Sequence, residues 1–143
     1  SDAILLTVGT APTIVILEPL DGEVFDAGTP IAFSATISDS ESQPPLIELE
    51  WFLDNVPYST QGPTSNGAAN LLDSQIEPGL HTLTINATDP DGLTATATVL
   101  FTVNGLPSQP TVSIVPSNPN TNDDVSASAS GSIYPEGSTV TYT

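Results

Sequence analysis

Hydrophobic and polar positions alternate along most of this chain with a period of two, the spacing of a strand that buries one face. Ile31, Phe33, Ala35 and Ile37 alternate with Ala32, Ser34, Thr36 and Ser38, and Ile47, Leu49, Trp51 and Leu53 with Glu48, Glu50 and Phe52. His81, Leu83, Ile85 and Ala87 alternate with Thr82, Thr84, Asn86 and Thr88, and a long threonine-rich strand is predicted over 93–103. A β-branched run over 13–17, a short edge segment over 23–26 and a weaker strand over 68–76 complete the set. Asp21-Gly22, Asp54-Asn55, Glu77-Pro78-Gly79 and Asp89-Pro90-Asp91-Gly92 punctuate it as turns. Polar loops are expected over 39–45 and 59–66, and no segment carries a 3.6-residue period, so helix is not expected.

About seven strands around one central-strand tryptophan predict an all-β chain folded as a β-sandwich. The inward parity selects Phe33, Trp51, His81, Leu83 and Ile85 as core. Phe52 falls on the outward parity and, with Tyr58, is the expected exposed or inter-domain aromatic contact.

Part of the pattern occurs twice. Ala3 to Val8 resembles Thr98 to Val103, and Pro12 to Leu17 resembles Pro110 to Val115. A last strand, a short linker and a first strand therefore recur about one small domain apart, as in a tandem array. On this reading residues 1–9 are the last strand of a preceding or partner-completed domain, and 10–103 a complete sandwich. Residues 104–110 are then a stiff linker held by Pro107 and Pro110, and 111–143 open a further, incomplete domain. That last piece offers one strand around Val125, Ala127 and Ala129 and another around Val140 and Tyr142.

Trp51 with Asp54-Asn55, the run Pro78-Gly79-Leu80-His81-Thr82-Leu83-Thr84, and Asp89-Pro90-Asp91-Gly92 resemble one family. It is that of the cysteine-free immunoglobulin-like domains of prokaryotic surface proteins, near the PKD-like and cadherin-like groups. The resemblance implies an immunoglobulin-like Greek-key β-sandwich in tandem, at an extracellular or cell-surface prokaryotic location, among neighbouring domains of the same protein.

Composition narrows the chemistry. The chain has 143 residues, seventeen acids, no lysine or arginine, and no cysteine. Without a cationic side chain it cannot neutralise phosphates, so nucleic acid is excluded as a partner. No stretch approaches the length of a membrane-spanning helix, so direct membrane insertion is not expected. The single histidine, His81, has no second histidine for a metal site and no serine–acid context for catalysis. The chain is read as not an enzyme.

Seventeen uncompensated carboxylates leave calcium as the candidate cofactor. In an immunoglobulin-like topology the loop after the second strand and the last hairpin meet at one end, which would bring Asp39 and Glu41 towards Asp89 and Asp91. Calcium takes six to eight hard oxygens, and four carboxylates could supply much of that shell. The competing reading is a solvated turn, since Asp-Pro-Asp-Gly is a strong turn sequence by itself. The counterpart loop near Tyr134 and Glu136 pairs Glu136 with Glu41 at an offset of 95. Asn86-Ala87-Thr88 is the one N-glycosylation sequon, with Asn86 on the outward face.

The expected function is a structural module of an extracellular array, filament or surface layer, acting as spacer or building block. The alternative is an adhesin or carbohydrate-binding module, or an accessory domain of a larger secreted enzyme. A head-to-tail homo-oligomer is a further expectation: Ile4, Leu6 and Val8 of one copy would complete the unfinished sandwich of the next. Its rival is that both ends were cut from a longer chain.

Overall fold

The computed structural model describes residues 9–134 together with 137, 140 and 141. The N-terminal segment carrying Ile4, Leu6 and Val8 lies outside the described residues, as do Glu136 and Tyr142.

Eight strands form the first unit: β1 (Thr13–Glu18), β2 (Glu23–Asp26), β3 (Ile31–Ser38), β4 (Glu48–Leu53), β5 (Val56–Ser59), β6 (Ala68–Asp73), β7 (Gly79–Thr88) and β8 (Thr94–Asn104). They make a three-stranded sheet in the order β1-β3-β6 and a five-stranded sheet in the order β2-β8-β7-β4-β5. The chain passes from one sheet to the other between β1 and β2, β2 and β3, β3 and β4, β5 and β6, and β6 and β7. The expected all-β sandwich is the observed one. The only helical turn among the described residues is a 3-10 turn over Pro44–Leu46.

Alternation turns into burial as the period requires. Phe33, Trp51, Phe101, Leu83 and Ile85 are wholly buried, and the intervening Ser, Thr and Glu residues face outward. Trp51 stands opposite Ile85, and Leu49 opposite Ala87, so a large residue and a small one adjoin across the sheet. Interdigitation of this kind fills a core without voids. The Trp51 indole N–H is satisfied by the Gln61 carbonyl at 2.9 Å. Phe33 packs against Phe101 at 5.7 Å between ring centres and edge-on to Tyr58 at 5.6 Å, so its ring lies between those two.

Two features depart from the sequence expectations. The stretch after the Asp54-Asn55 turn forms β5, a four-residue edge strand that takes in Ser59, the first residue of the polar loop expected over 59–66. Asp54 and Asn55 both have positive φ, 53° and 65°, the geometry of a tight hairpin turn that folds β5 back on β4. Tyr58 on β5 is half-buried against Phe33 and is not an exposed contact. Secondly, β2 pairs in parallel with β8. The chain leaves the first sheet after a bulge between Ile16 and Glu18 and a cis Glu18–Pro19 peptide, and Pro19 is buried at the crossing.

The remaining described strands, β9 (Thr111–Val115) and β10 (Ser126–Ser130), form a separate two-stranded antiparallel sheet. Val112 and Ile114 stand opposite Ala129 and Ala127, and none of these four joins the hydrophobic core.

Candidate functional site

The strand registers decide which loops share an end. Thr13 pairs with Ser38, Glu48 with Thr88, and Thr88 with Thr94. The segment before β1, the loop after β3 and the β7–β8 turn therefore meet at one end of the sandwich. At the other end lie Asn104, Asp26 and Gly79, since Asn104 pairs with Asp26 and the neighbouring Val103 with Gly79. The chain thus enters the module at one end and leaves it at the other.

At the incoming end Thr10 is the centre of a polar cluster. Its hydroxyl donates to Glu41 Oε2 at 2.7 Å, meets Ser40 Oγ at 2.8 Å, and lies 3.4 Å from Asp39 Oδ1. Its amide N–H donates to the same Glu41 oxygen at 3.3 Å. Asp39 also accepts from the N–H groups of Ser40 at 2.8 Å and Ser42 at 3.0 Å. Burial pushes the Asp39 carboxyl up, but bonds with the Ser42 hydroxyl, the Glu41 carboxyl and those N–H groups outweigh it. The net effect holds Asp39 below its ordinary range.

Asp91 approaches the same segment: its Oδ2 lies 3.6 Å from where a Cβ on Gly9 would stand, and Leu93 Cδ1 lies 3.1 Å from that point. Asp89 has a different task. It is the one buried charged residue among the described residues, and its Oδ1 accepts the Leu93 N–H at 2.8 Å while its own N–H donates to the Leu93 carbonyl at 3.0 Å. The carboxylate therefore closes the β7–β8 turn. Asp39, Glu41, Asp89 and Asp91 do come to one end, but among the described residues no three acids or histidines group closely enough to hold a metal ion. The oxygens of Asp39, Glu41 and Asp89 serve backbone N–H groups and Thr10, which suits a hydrogen-bonded loop end and not a ready-made calcium cage.

His81 sits at the opposite end, its side chain 11% exposed. Nδ1 lies 2.7 Å from Asp54 Oδ2 and Nε2 lies 2.6 Å from the Glu77 carbonyl oxygen, and the ring is tilted over Phe101 at 5.4 Å. Asp54 Oδ1 also accepts the Thr82 N–H at 2.8 Å. The histidine therefore ties the β4–β5 turn to the segment before β7. Asn86 is half-buried on the outer face, where its Oδ1 accepts the Thr96 hydroxyl at 2.8 Å.

Sequence reading missed the pair Tyr58–Asp73, whose hydroxyl–carboxylate bond is 2.5 Å and joins the edges of the two sheets. Burial, then the Asp73 bond and charge, push the Tyr58 hydroxyl far above its ordinary range. The Tyr58 bond, with help from the Gln75 N–H, holds the Asp73 carboxyl below its own. No local pattern signals a pair separated by fifteen residues and carried on different sheets. Beside it, Glu50, Phe52, Pro57 and Tyr58 line an open groove of about 330 Å³.

Among solved structures the chain is similar to fibronectin(III)-like modules of Clostridium thermocellum CbhA. The match has 24% identity and a TM-score of 0.52, over 64% of this chain and 94% of that one. It is also similar to the titin domains Z1Z2 in complex with telethonin, at 28% identity and a TM-score of 0.51, over 76% of this chain and 54% of the other. The chain thus spans about half the length of that titin segment. No curated protein matches the sequence. The profile of the family described as Bacterial Ig domain matches residues 12–85. That description agrees with the prokaryotic setting that the resemblance implied. Since the match takes in just over half of the chain and most of its sandwich, this protein belongs to the bacterial immunoglobulin-domain family.

Proposed function

We propose that this chain is a connecting module of a larger surface or secreted protein, of the adhesin or accessory-domain kind, in which sandwiches follow one another as a spacer. One observation carries the reading: the chain comes in beside Thr94, at the start of β8, and goes out at Asn104, its far end. Eleven residues of strand at about 3.3 Å each separate the two ends by roughly 35 Å, so successive modules extend an array and do not fold back. Support for repetition comes from β9–β10, which pairs Val112 with Ala129 and Ile114 with Ala127 as β1–β3 pairs Ile14 with Ile37 and Ile16 with Ala35. On this reading 10–103 is one module and 111–143 begins the next. The likeness to part of a titin domain pair agrees with a module embedded among others.

Small-angle scattering on chains of one, two and three consecutive modules tests the proposal. The maximum dimension is expected to grow by roughly 35 Å per module. Growth as a compact globule would overturn it.

Saccharide binding is a second reading, favoured by the groove where the outward Phe52 adjoins Glu50 and Pro57. An aromatic face beside a carboxylate suits a sugar ring and its hydroxyls. Titration calorimetry against a glycan library, with binding lost in Phe52→Ala, checks it; heats absent throughout remove it. The calcium proposal for Asp39, Glu41, Asp89 and Asp91 requires the loop end to rearrange around the ion. It predicts a higher Tm in millimolar calcium, and an unchanged Tm removes it.

A further inference from the structure

The segment that leads into each first strand is held by a residue that does not belong to any strand. Thr10 stands two residues before Pro12 and is bound, as described, by Ser40 and Glu41 from the loop after β3. Ser108 stands two residues before Pro110 and is bound by the loop after β10. Its amide N–H donates to the Ile133 carbonyl at 2.8 Å, its hydroxyl oxygen accepts the Ile133 N–H at 3.0 Å, and the Ser132 hydroxyl donates to its carbonyl.

Register makes these the same contact. Thr13 of β1 corresponds to Thr111 of β9, an offset of 98, and their partners Ser38 and Ser130 differ by 92. Thr10 and Ser108 differ by the first offset; Ser40 and Ser132, and Glu41 and Ile133, differ by the second. The contact therefore recurs with the strand pair that anchors it. Its chemistry changes: Ile133 has no carboxylate, and its backbone binds Ser108 where the Glu41 side chain binds Thr10. These registers also shift the sequence correspondence, so that Glu41 answers to Ile133 and not to Glu136.

We propose that Thr10 and Ser108 are latch residues, by which each module grips the linker that enters it and so stiffens the junction with the module before. The preceding module holds the chain as far as Asn104, whose carbonyl accepts the Ala27 N–H at 2.9 Å. With the latch closed, no more than residues 105–107 lie between the two anchors, and the Pro107 ring fixes one of their φ angles. With the latch open, the next anchor is the Thr111–Ser130 pair, and the linker lengthens by residues 108–110. For a flexible chain three added residues at least double the linker and raise its root-mean-square span by roughly 4 Å.

The inference deepens the connecting-module reading and rests on it for its purpose. Its test is made within one chain, so failure here leaves the scattering result untouched. The sequence has no cysteine, so spin labels placed through Leu72→Cys on β6 and Ser126→Cys on β10 report a single distance. Ser108→Ala combined with Ser132→Ala removes two of the three latch bonds. Ser113→Ala removes only the hydroxyl contact with Ser128, elsewhere in the same ribbon. We expect the distance distribution to widen about 1.4-fold in the latch variant and to stay at the parent width in Ser113→Ala. No widening in the latch variant, or equal widening in both, would overturn the proposal.

Discussion

Ile16 and Ile114 occupy matching positions in two strand pairs and have different surroundings. Each stands opposite an alanine, Ala35 in one case and Ala127 in the other. Ala35 is 1% exposed and Ile16 packs against the core, whereas Ile114 is 53% exposed and Ala127 faces solvent. Pairing of neighbouring strands needs only the local alternation. Burial needs a second sheet, and β4, β7 and β8 supply it to β1–β3 alone. Within the described residues the β9–β10 ribbon has its pairing and lacks its cover.

The largest predicted effect breaks the covered region. Phe33→Ala removes a fully buried ring between Tyr58 and Phe101 and should cost about 3–5 kcal/mol, read as a lower denaturation midpoint by Trp51 fluorescence.

Gly67→Ala comes next. Gly67 has φ +84°, and an added Cβ would lie 2.3 Å from the Ile37 carbonyl oxygen, so the cost should be roughly 2–3 kcal/mol by the same readout. Gly131 sharpens the comparison: it has φ +83° but nothing within 4 Å. Gly131→Ala should therefore carry the backbone cost alone, about 1 kcal/mol, and leave the Trp51 transition unmoved.

Tyr58→Phe should cost about 1–2 kcal/mol at neutral pH, discounted for the partial exposure of the bond to Asp73. Its pH dependence follows from the shifts. The Asp73 carboxyl is lowered in the folded chain, so its stabilisation is present above the ordinary value of about 4 and is lost as pH falls through the folded value. The Tyr58 hydroxyl is raised, so its contribution is full below about 10 and is lost as pH rises beyond. The difference between parent and variant should thus shrink at both extremes in urea melts. A difference constant from pH 2 to pH 11 would contradict the assignment.

Ile114→Ala should have the smallest effect, within about 0.5 kcal/mol, because the side chain it shortens is already in water. A large loss there would mean that something covers the ribbon.

Much of this fold is legible in the sequence because its signal is local. Alternation places β3 over Ile31–Ser38 as predicted, and it orients Phe33, Trp51, Leu83 and Ile85 inward from parity alone. The Asp54-Asn55 turn was legible too, but its consequence, a β5 containing Pro57, was not, since four residues with a proline carry no strand pattern of their own. The acidic end was legible as a meeting of two loops. What the carboxylates do there was not: Asp89 serves the Leu93 amide and Glu41 serves Thr10, and both partners are settled by how the turns close.

What the sequence determines by itself is the period of two, the turns and the repeated strand pair, since each depends on residues close together along the chain. The tertiary structure alone decides the parallel seat of β2 beside β8, the Tyr58–Asp73 bond, the bridging of Asp54 and Glu77 by His81, and the grip on Thr10 and Ser108. These join segments brought together only by strand pairing or by the packing of sheets, and hydrogen bonds of that kind leave no trace in local pattern.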